Sequence, residues 1–195
     1  GEMIARFYGD PSAQMSVTAV TGTNGKTSCA HLMTQALQGA GHSAGVIGTI
    51  GWGQPGRLNT TQLTTPDAST LQAQCAVFRD QGIQSLVLEA SSHALAQSRL
   101  SGLSVDIAVF TNLTRDHLDY HATLDAYFAA KAELFDRVLP EDGTAVINMD
   151  DPRGPDMARI SEDRGQQVIR VGRQPGMDLE LQAQRFDATG QQLRF

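Results

Sequence analysis

Six short runs of apolar, largely β-branched residues, at 16–21, 43–50, 85–90, 105–110, 144–148 and 167–171, are continuous rather than alternating. A strand with one wet face alternates polar and apolar residues, so a run without alternation has to be covered on both sides. Between these runs lie segments of helical periodicity at 26–38, 68–81 and 123–138, with a shorter one at 156–163. Strands and helices in alternation predict an α/β fold with a mostly parallel sheet and helices on both faces. The 195 residues, 41% of them hydrophobic, suffice for one domain with a real core. Sheets of this kind bind their ligands just beyond the C-terminal ends of the strands. Chemistry is therefore expected in the residues that follow each apolar run. The two ends of the chain differ in character. Residues 1–15, with "YGDPS", read as a linker leading into the domain, and 179–186 with 191–195 flank "DATG" as a small β-hairpin. The chain stops inside the second of those strands, as expected of a piece of a longer protein.

The first run ends in Gly22-Thr23-Asn24-Gly25-Lys26-Thr27, followed by Ser28 and a helix. A P-loop sets its first glycine five positions before the second, and here that place is Val20, so the spacing is the shorter GxxGKT. Strand, glycine turn and helix in succession aim backbone N–H groups and the positive helix end at one point, where Lys26 neutralises phosphate charge. Thr27 offers a hydroxyl to Mg2+. That context favours a phosphate site over a turn that merely closes a βα unit. The net charge of −6 and a pI near 5.2 argue against a general nucleic-acid surface, so an anion has to be held locally. Cys29 and Cys75 make no disulfide framework, and no apolar run has the length of a membrane span or the form of a signal peptide. A reduced, cytoplasmic monomer that binds neither nucleic acid nor membrane is the expectation.

Two more clusters follow buried runs. Glu89, in "QSLVLEASSHAL", ends a hydrophobic strand, where it either caps the next helix, pairs with an arginine or holds a metal ion beside the phosphates. Ser91, Ser92 and His93 suggest a serine hydrolase only weakly, because GxSxG is absent. "FTNLTRDHLDYH" then places Asp116, His117, Asp119 and His121 within six residues, more potential ligands than a soluble turn requires. In 123–138 the apolar stripe Leu124, Tyr127, Phe128, Leu134, Phe135 and Val138 is interrupted by Lys131, which falls on the core face. A lysine there has to snorkel, pair with an acid, lose its proton or be modified, for instance to a carbamate by CO2.

"GTNGKTS", "LTTPDA", "LEASSHAL", "FTNLTRDHLDYH" and "YFAAKAELF", in this order, resemble the Mur ligase family, in particular its central ATPase domain of the MurE type. The resemblance covers 7–195 and implies a central ATP-binding domain without the N-terminal UDP-binding and C-terminal amino-acid-binding domains of that family. It implies an ATP-dependent amide-forming ligase of peptidoglycan synthesis. Such an enzyme activates the carboxylate of UDP-MurNAc-L-Ala-D-Glu as an acyl phosphate, and the amine of a free amino acid attacks it. By motif position, Gly22, Thr23, Asn24, Gly25, Lys26, Thr27, Ser28 and Asn112 fall on nucleotide contacts. Lys26, His117 and Lys131 fall on catalytic positions. Thr27 and Glu89 fall on ligands of one Mg2+, and His117 with a carbamylated Lys131 on those of a second. Thr64, Thr65, Ser91, Gln97 and Arg99 fall on positions that grip the UDP-muramyl peptide. The alternatives are a folylpolyglutamate-synthetase-like ligase, a P-loop kinase, or a nucleotide-binding module without turnover of its own.

Overall fold

A computed structural model describes residues 1–116, 120–187 and 190–195. The chain opens with α1 (Glu2–Phe7) and a 3-10 turn at Pro11–Gln14, then β1 (Ser16–Thr21) and α2 (Lys26–Gly39). A β-meander follows, β2 (Ala44–Gly48), β3 (Gly51–Gln54) and β4 (Arg57–Asn59). After it come α3 (Ala68–Asp80), β5 (Ser85–Glu89), the short α4 (Ser92–Ala96) and β6 (Ile107–Phe110). The helix α5 (Leu124–Glu133) runs on into a π-helical turn at Leu134–Val138, and β7 (Thr144–Asn148), α6 (Gly154–Asp163) and β8 (Gln167–Gly172) complete the α/β layers. A two-residue β9 (Leu179–Glu180) and the hairpin β10 (Ala183–Asp187) and β11 (Gly190–Arg194) end the chain.

Nine strands form one sheet in the order β4-β3-β2-β5-β1-β6-β7-β8-β9. Among the described residues of this sheet, the β2–β3 and β3–β4 pairs are antiparallel and the others parallel. Of the six apolar runs, three are buried as expected, β2 and β5 throughout and β1 beyond Ser16, whereas β6 and β7 alternate buried and half-buried residues and β8, toward the edge of the sheet, is mostly half-buried. On one face Val20, Val46 and Val87 meet Ala30 of α2. On the other, Val17, Ala19, Leu86 and Leu88 meet Leu71 and Phe78 of α3, in a core that extends to Tyr127 and Phe135. Polar side chains start the helices where the sequence offers them. Asp67 accepts from Ser69 and Thr70 at α3, Ser91 from Ala94 at α4, and Thr123 from Ala126 at α5.

The order of strands positions the site. The chain leaves β1 for β2, returns to insert β5 between them, and crosses to the far side of β1 with β6. Connections after β1, β5 and β6 therefore diverge and leave a crevice at their C-terminal ends. Three features differ from the sequence-based expectations. Residues 1–15 carry α1, whose Ala5 is buried, and Arg79 of α3 donates to the carbonyl of Tyr8 at 2.6 Å. The hairpin starts at Ala183 rather than 179, because Leu179 and Glu180 pair instead with Val171 and Gly172 and extend the main sheet. Leu124, expected in the apolar stripe of α5, is 43% exposed in the first turn of that helix, whereas Tyr127, Phe128, Leu134 and Phe135 are buried.

Candidate functional site

The loop after β1 bends through two glycines with φ of 148° at Gly22 and 86° at Gly25. The second is a left-handed conformation that only glycine adopts without strain. At Gly22 a Cβ would lie 1.8 Å from Oγ1 of Thr111, so the loop after β6 can approach only a bare backbone. Asn112 completes that approach: its Oδ1 accepts from the N–H of Asn24 at 2.9 Å and its Nδ2 donates to the carbonyl of Asn24 at 3.0 Å. Thr23 and Thr114 exchange hydrogen bonds across the same seam. The cradle is thus held open by the neighbouring loop, with Gly25 as the N-cap of α2. Lys26 donates to the carbonyls of Gly22 and Thr23 at 2.9 and 3.0 Å. Burial holds its ammonium below the ordinary lysine range, against the opposing charges of Glu89 and Asp116.

Glu89 is fully buried at the end of β5, and both carboxylate oxygens are engaged. Oε2 accepts from the Thr27 hydroxyl at 2.9 Å, while Oε1 accepts from the N–H of Thr49 at 2.8 Å. Thr49 also donates its hydroxyl to Oε2 at 3.2 Å and shares a 3.0 Å contact with the hydroxyl of Thr64. Glu89 therefore neither caps α4 nor pairs with an arginine. It faces the first turn of α2 across the cleft, where a hydroxyl and a carboxylate together make a partial site for a hard divalent cation. Among the described residues no group of three His, Cys, Asp or Glu is placed to hold a metal. A Mg2+ here fits only in the usual manner of that ion, with phosphates and waters supplying the remaining ligands.

Thr65 donates to the carbonyl of Glu89 at 2.6 Å and accepts from the N–H of Ser91 at 3.0 Å, so the 60–67 loop is buttoned to the end of β5. Ser91 uses its oxygen to cap α4 and to accept from the Thr65 hydroxyl. Arg99 donates Nη1 to the carbonyl of Thr65 at 2.8 Å and presents Nε and Nη2 to Oε1 of Gln97 at 2.9 and 2.6 Å. Residues Thr23 to Ser28 of the cradle, Glu89, Thr64, Thr65, Ser91 and Arg99 line one cleft of about 510 Å3. Gln97 and Asn112 are not among the lining residues and reach the site through Arg99 and Asn24.

Lys131 is 1% exposed and donates Nζ to the carbonyl of Gly22 at 2.8 Å, the same oxygen that Lys26 uses. Its Nζ lies 4.3 Å from the centre of the Tyr127 ring. Burial, with the nearby charge of Lys26 added and that of Asp116 opposing, brings its pKa down to about 7. The reading that Lys131 snorkels to solvent is therefore wrong: the side chain turns inward to the cradle. His117 and Asp119 lie outside the described residues. His121 is buried with its ring 5.2 Å from that of Tyr127.

The family model of the Mur ligase middle domain matches residues 20–195. The chain belongs to the Mur ligase family. Among curated relatives, the UDP-N-acetylmuramoyl-L-alanyl-D-glutamate--2,6-diaminopimelate ligase of Coxiella burnetii is 51% identical over 154 residues, 79% of this chain and 31% of that protein. The ligase of the same name from Nitrosomonas europaea is 42% identical over the whole chain and 37% of its own length. A solved structure of a ligase so named superposes with a TM-score of 0.83 at 37% identity, covering 92% of this chain and 36% of that one. Folylpolyglutamate synthase of Mycobacterium tuberculosis, solved with ADP, shares the fold with a TM-score of 0.75 at 20% identity, over 97% of this chain and 49% of that one. The chain spans about a third of the length of the curated Mur ligases it matches.

Two residues of this Mur ligase domain escaped the sequence reading. Thr49 supplies two of the bonds that fix Glu89, and Gly48 leaves the room for its carboxylate, since a Cβ there would come within 2.2 Å of Oε1. The signal was available: a glycine and a polar residue close the 43–50 run just as Glu89 closes its own.

Proposed function

We propose that this chain is the ATP-binding domain of a ligase that joins an amino acid, 2,6-diaminopimelate by the names of its relatives, to UDP-MurNAc-L-Ala-D-Glu in peptidoglycan synthesis. The observation that carries the reading is the single cleft in which a phosphate cradle, a buried carboxylate and an arginine-bearing rim face one another. Lys26 and the N–H groups of Gly25 to Ser28 would hold the β- and γ-phosphates of ATP, with Asn112 keeping the cradle in shape. Thr27 and Glu89 would hold a Mg2+, which neutralises charge on the phosphates. Thr64, Thr65, Ser91 and Arg99 would bind the UDP-muramyl dipeptide, with Gln97 orienting the guanidinium. The substrate carboxylate then attacks the γ-phosphorus and releases ADP, and the amine displaces phosphate from the resulting acyl phosphate to give the amide. Placing carboxylate and phosphate within one cleft is what would raise their effective concentration.

Lys131 and His117 are proposed to serve a second cation. Burial favours the neutral amine of Lys131, the form that adds CO2 to give N–COO− with release of one proton. The anion formed would face a site that holds cations, which stabilises it. An ATP-supplied, reducing compartment, the cytoplasm, suits both the substrate and the two cysteines, which are free thiols. The test is phosphate release by the whole protein with ATP, UDP-muramyl dipeptide and candidate amino acids. A ligase releases phosphate only when both the muramyl substrate and the amine are present. Release or a stable phosphate ester without the amine would mean a kinase or phosphatase instead.

A further inference from the structure

The guanidinium of Arg99 is held from two sides, and one side leads out of the cleft. Nη1 rests on the carbonyl of Thr65, while Nε and Nη2 converge on Oε1 of Gln97. Two donors on one amide oxygen decide the orientation of that amide, because a flipped Gln97 would set N–H against N–H. Its Nε2 is thereby directed away from Arg99, and it donates to the hydroxyl of Tyr120 at 3.1 Å. Tyr120 belongs to a different part of the chain, the loop after β6 that also carries "RDHLDYH". Its ring lies 4.0 Å from that of His93, which lines the cleft, while the residue remains 45% exposed. The turn that brings Gln97 and Arg99 together is strained. Ser98, between them, has φ of 53°, a left-handed conformation uncommon for a residue with a side chain, and it lets the N–H of Arg99 return to the carbonyl of Ala94 at 2.8 Å. Strain of this kind persists where surrounding contacts over-determine it, as around a ligand clamp.

We propose that Tyr120 is a positioning residue for the muramyl-substrate clamp, acting through Gln97 to hold the Arg99 guanidinium toward the cleft. It rests on the reading above that Arg99 grips the UDP-muramyl substrate. Tyr120 touches neither the cradle nor Glu89 through any hydrogen bond described, so its removal should be felt by one substrate and not by the other. The relay ties Tyr120 to Gln97 and, through it, to Arg99 on the cleft.

The experiment is steady-state kinetics of the whole protein, varying ATP and UDP-muramyl dipeptide separately. Tyr120→Phe keeps the ring against His93 and deletes only the hydroxyl. It should raise KM for the muramyl dipeptide about three- to tenfold, the worth of one ordinary hydrogen bond, with kcat and KM for ATP unchanged. In a Gln97→Met background, where the relay is already cut, Tyr120→Phe should add nothing. A general structural role would move both KM values or lower kcat, and either result overturns the proposal. Additivity of the two substitutions overturns it as well. Arg99→Ala separates the levels. If it raises KM for the muramyl dipeptide while Tyr120→Phe does not, the relay is wrong and the clamp stands; if Arg99→Ala leaves that KM unchanged, the clamp reading itself fails.

Discussion

Gly48→Ala should damage the site more than any other one-carbon change in the sheet. The added Cβ would lie 2.2 Å from Oε1, 2.9 Å from Cδ and 3.0 Å from Cγ of Glu89, so the whole end of that side chain is in the way. Glu89 is fully buried and cannot swing to solvent, so the carboxylate has to retreat within the core by roughly one ångström. Its bonds to the N–H of Thr49 at 2.8 Å and to the hydroxyls of Thr27 and Thr49 at 2.9 and 3.2 Å cannot all survive that shift. Each hydrogen bond to a charged group contributes about 1.5–3 kcal/mol, and overpacking costs about 1–3 kcal/mol. With one bond lost and the rest re-formed in poorer geometry, the expected destabilisation is about 3 kcal/mol, read as a shift of the urea midpoint at constant m. Nucleotide binding that depends on Mg2+ should weaken in parallel. Glu89→Ala removes the obstructing group, so in that background Gly48→Ala should cost less than about 1 kcal/mol. A Gly48→Ala chain within about 0.5 kcal/mol of the parent, or an equal cost in both backgrounds, would refute the steric argument.

Lys26→Ala should weaken nucleotide binding by tenfold or more, as loss of a charge-assisted phosphate contact predicts, while the melting temperature barely moves, since Lys131 still donates to the Gly22 carbonyl. Lys131→Met bears on the buried amine. With a folded pKa near 7 below the unfolded value, the cost of burying the ammonium is fully present below pH 7 and fades as pH rises toward about 10.4. Relative to the parent, the methionine variant should therefore gain stability as pH falls from 10 to 7, the difference changing by an amount on the order of 4 kcal/mol, measured from a pH 10 value that carries the lost contacts to the Gly22 carbonyl and the Tyr127 ring. Parallel stability curves for mutant and parent across that range would mean that Lys131 is not desolvated. Asp67→Ala removes the N-cap of α3, in which the carboxylate accepts from two backbone N–H groups and from the hydroxyls of Ser69 and Thr70. The loss should be about 0.5–2 kcal/mol at neutral pH. Those bonds hold the Asp67 carboxyl well below the usual carboxylate range. The contribution of the cap is thus complete above about pH 4 and disappears only in stronger acid, a profile readable by thermal melts between pH 2 and 7.

The sequence by itself determined the sheet and one wall of the site. Apolar, β-branched runs made β1, β2, β5, β6, β7 and β8 legible as strands, but cover on both faces holds for β1, β2 and β5 alone among these; β6 and β7 alternate and β8 is half-buried, because they lie nearer one side of the sheet. The cradle was legible because its glycines, lysine and threonine are adjacent in the chain and flanked by strand and helix. Lys131 stood out because a charge on an apolar stripe contradicts its surroundings. Short elements were not legible: β3, β4 and β9 hold two to four residues each, and their existence depends on an edge of the main sheet being free to receive them. Above all, pairing across the sheet lay beyond the sequence. That Glu89 faces Thr27 and Thr49, that Lys131 and Lys26 share the carbonyl of Gly22, and that Gln97 stands between Arg99 and Tyr120 follow from strand order. Local patterns fix which face a residue presents; only the insertion of β5 beside β1, with β6 on its other side, decides which faces meet.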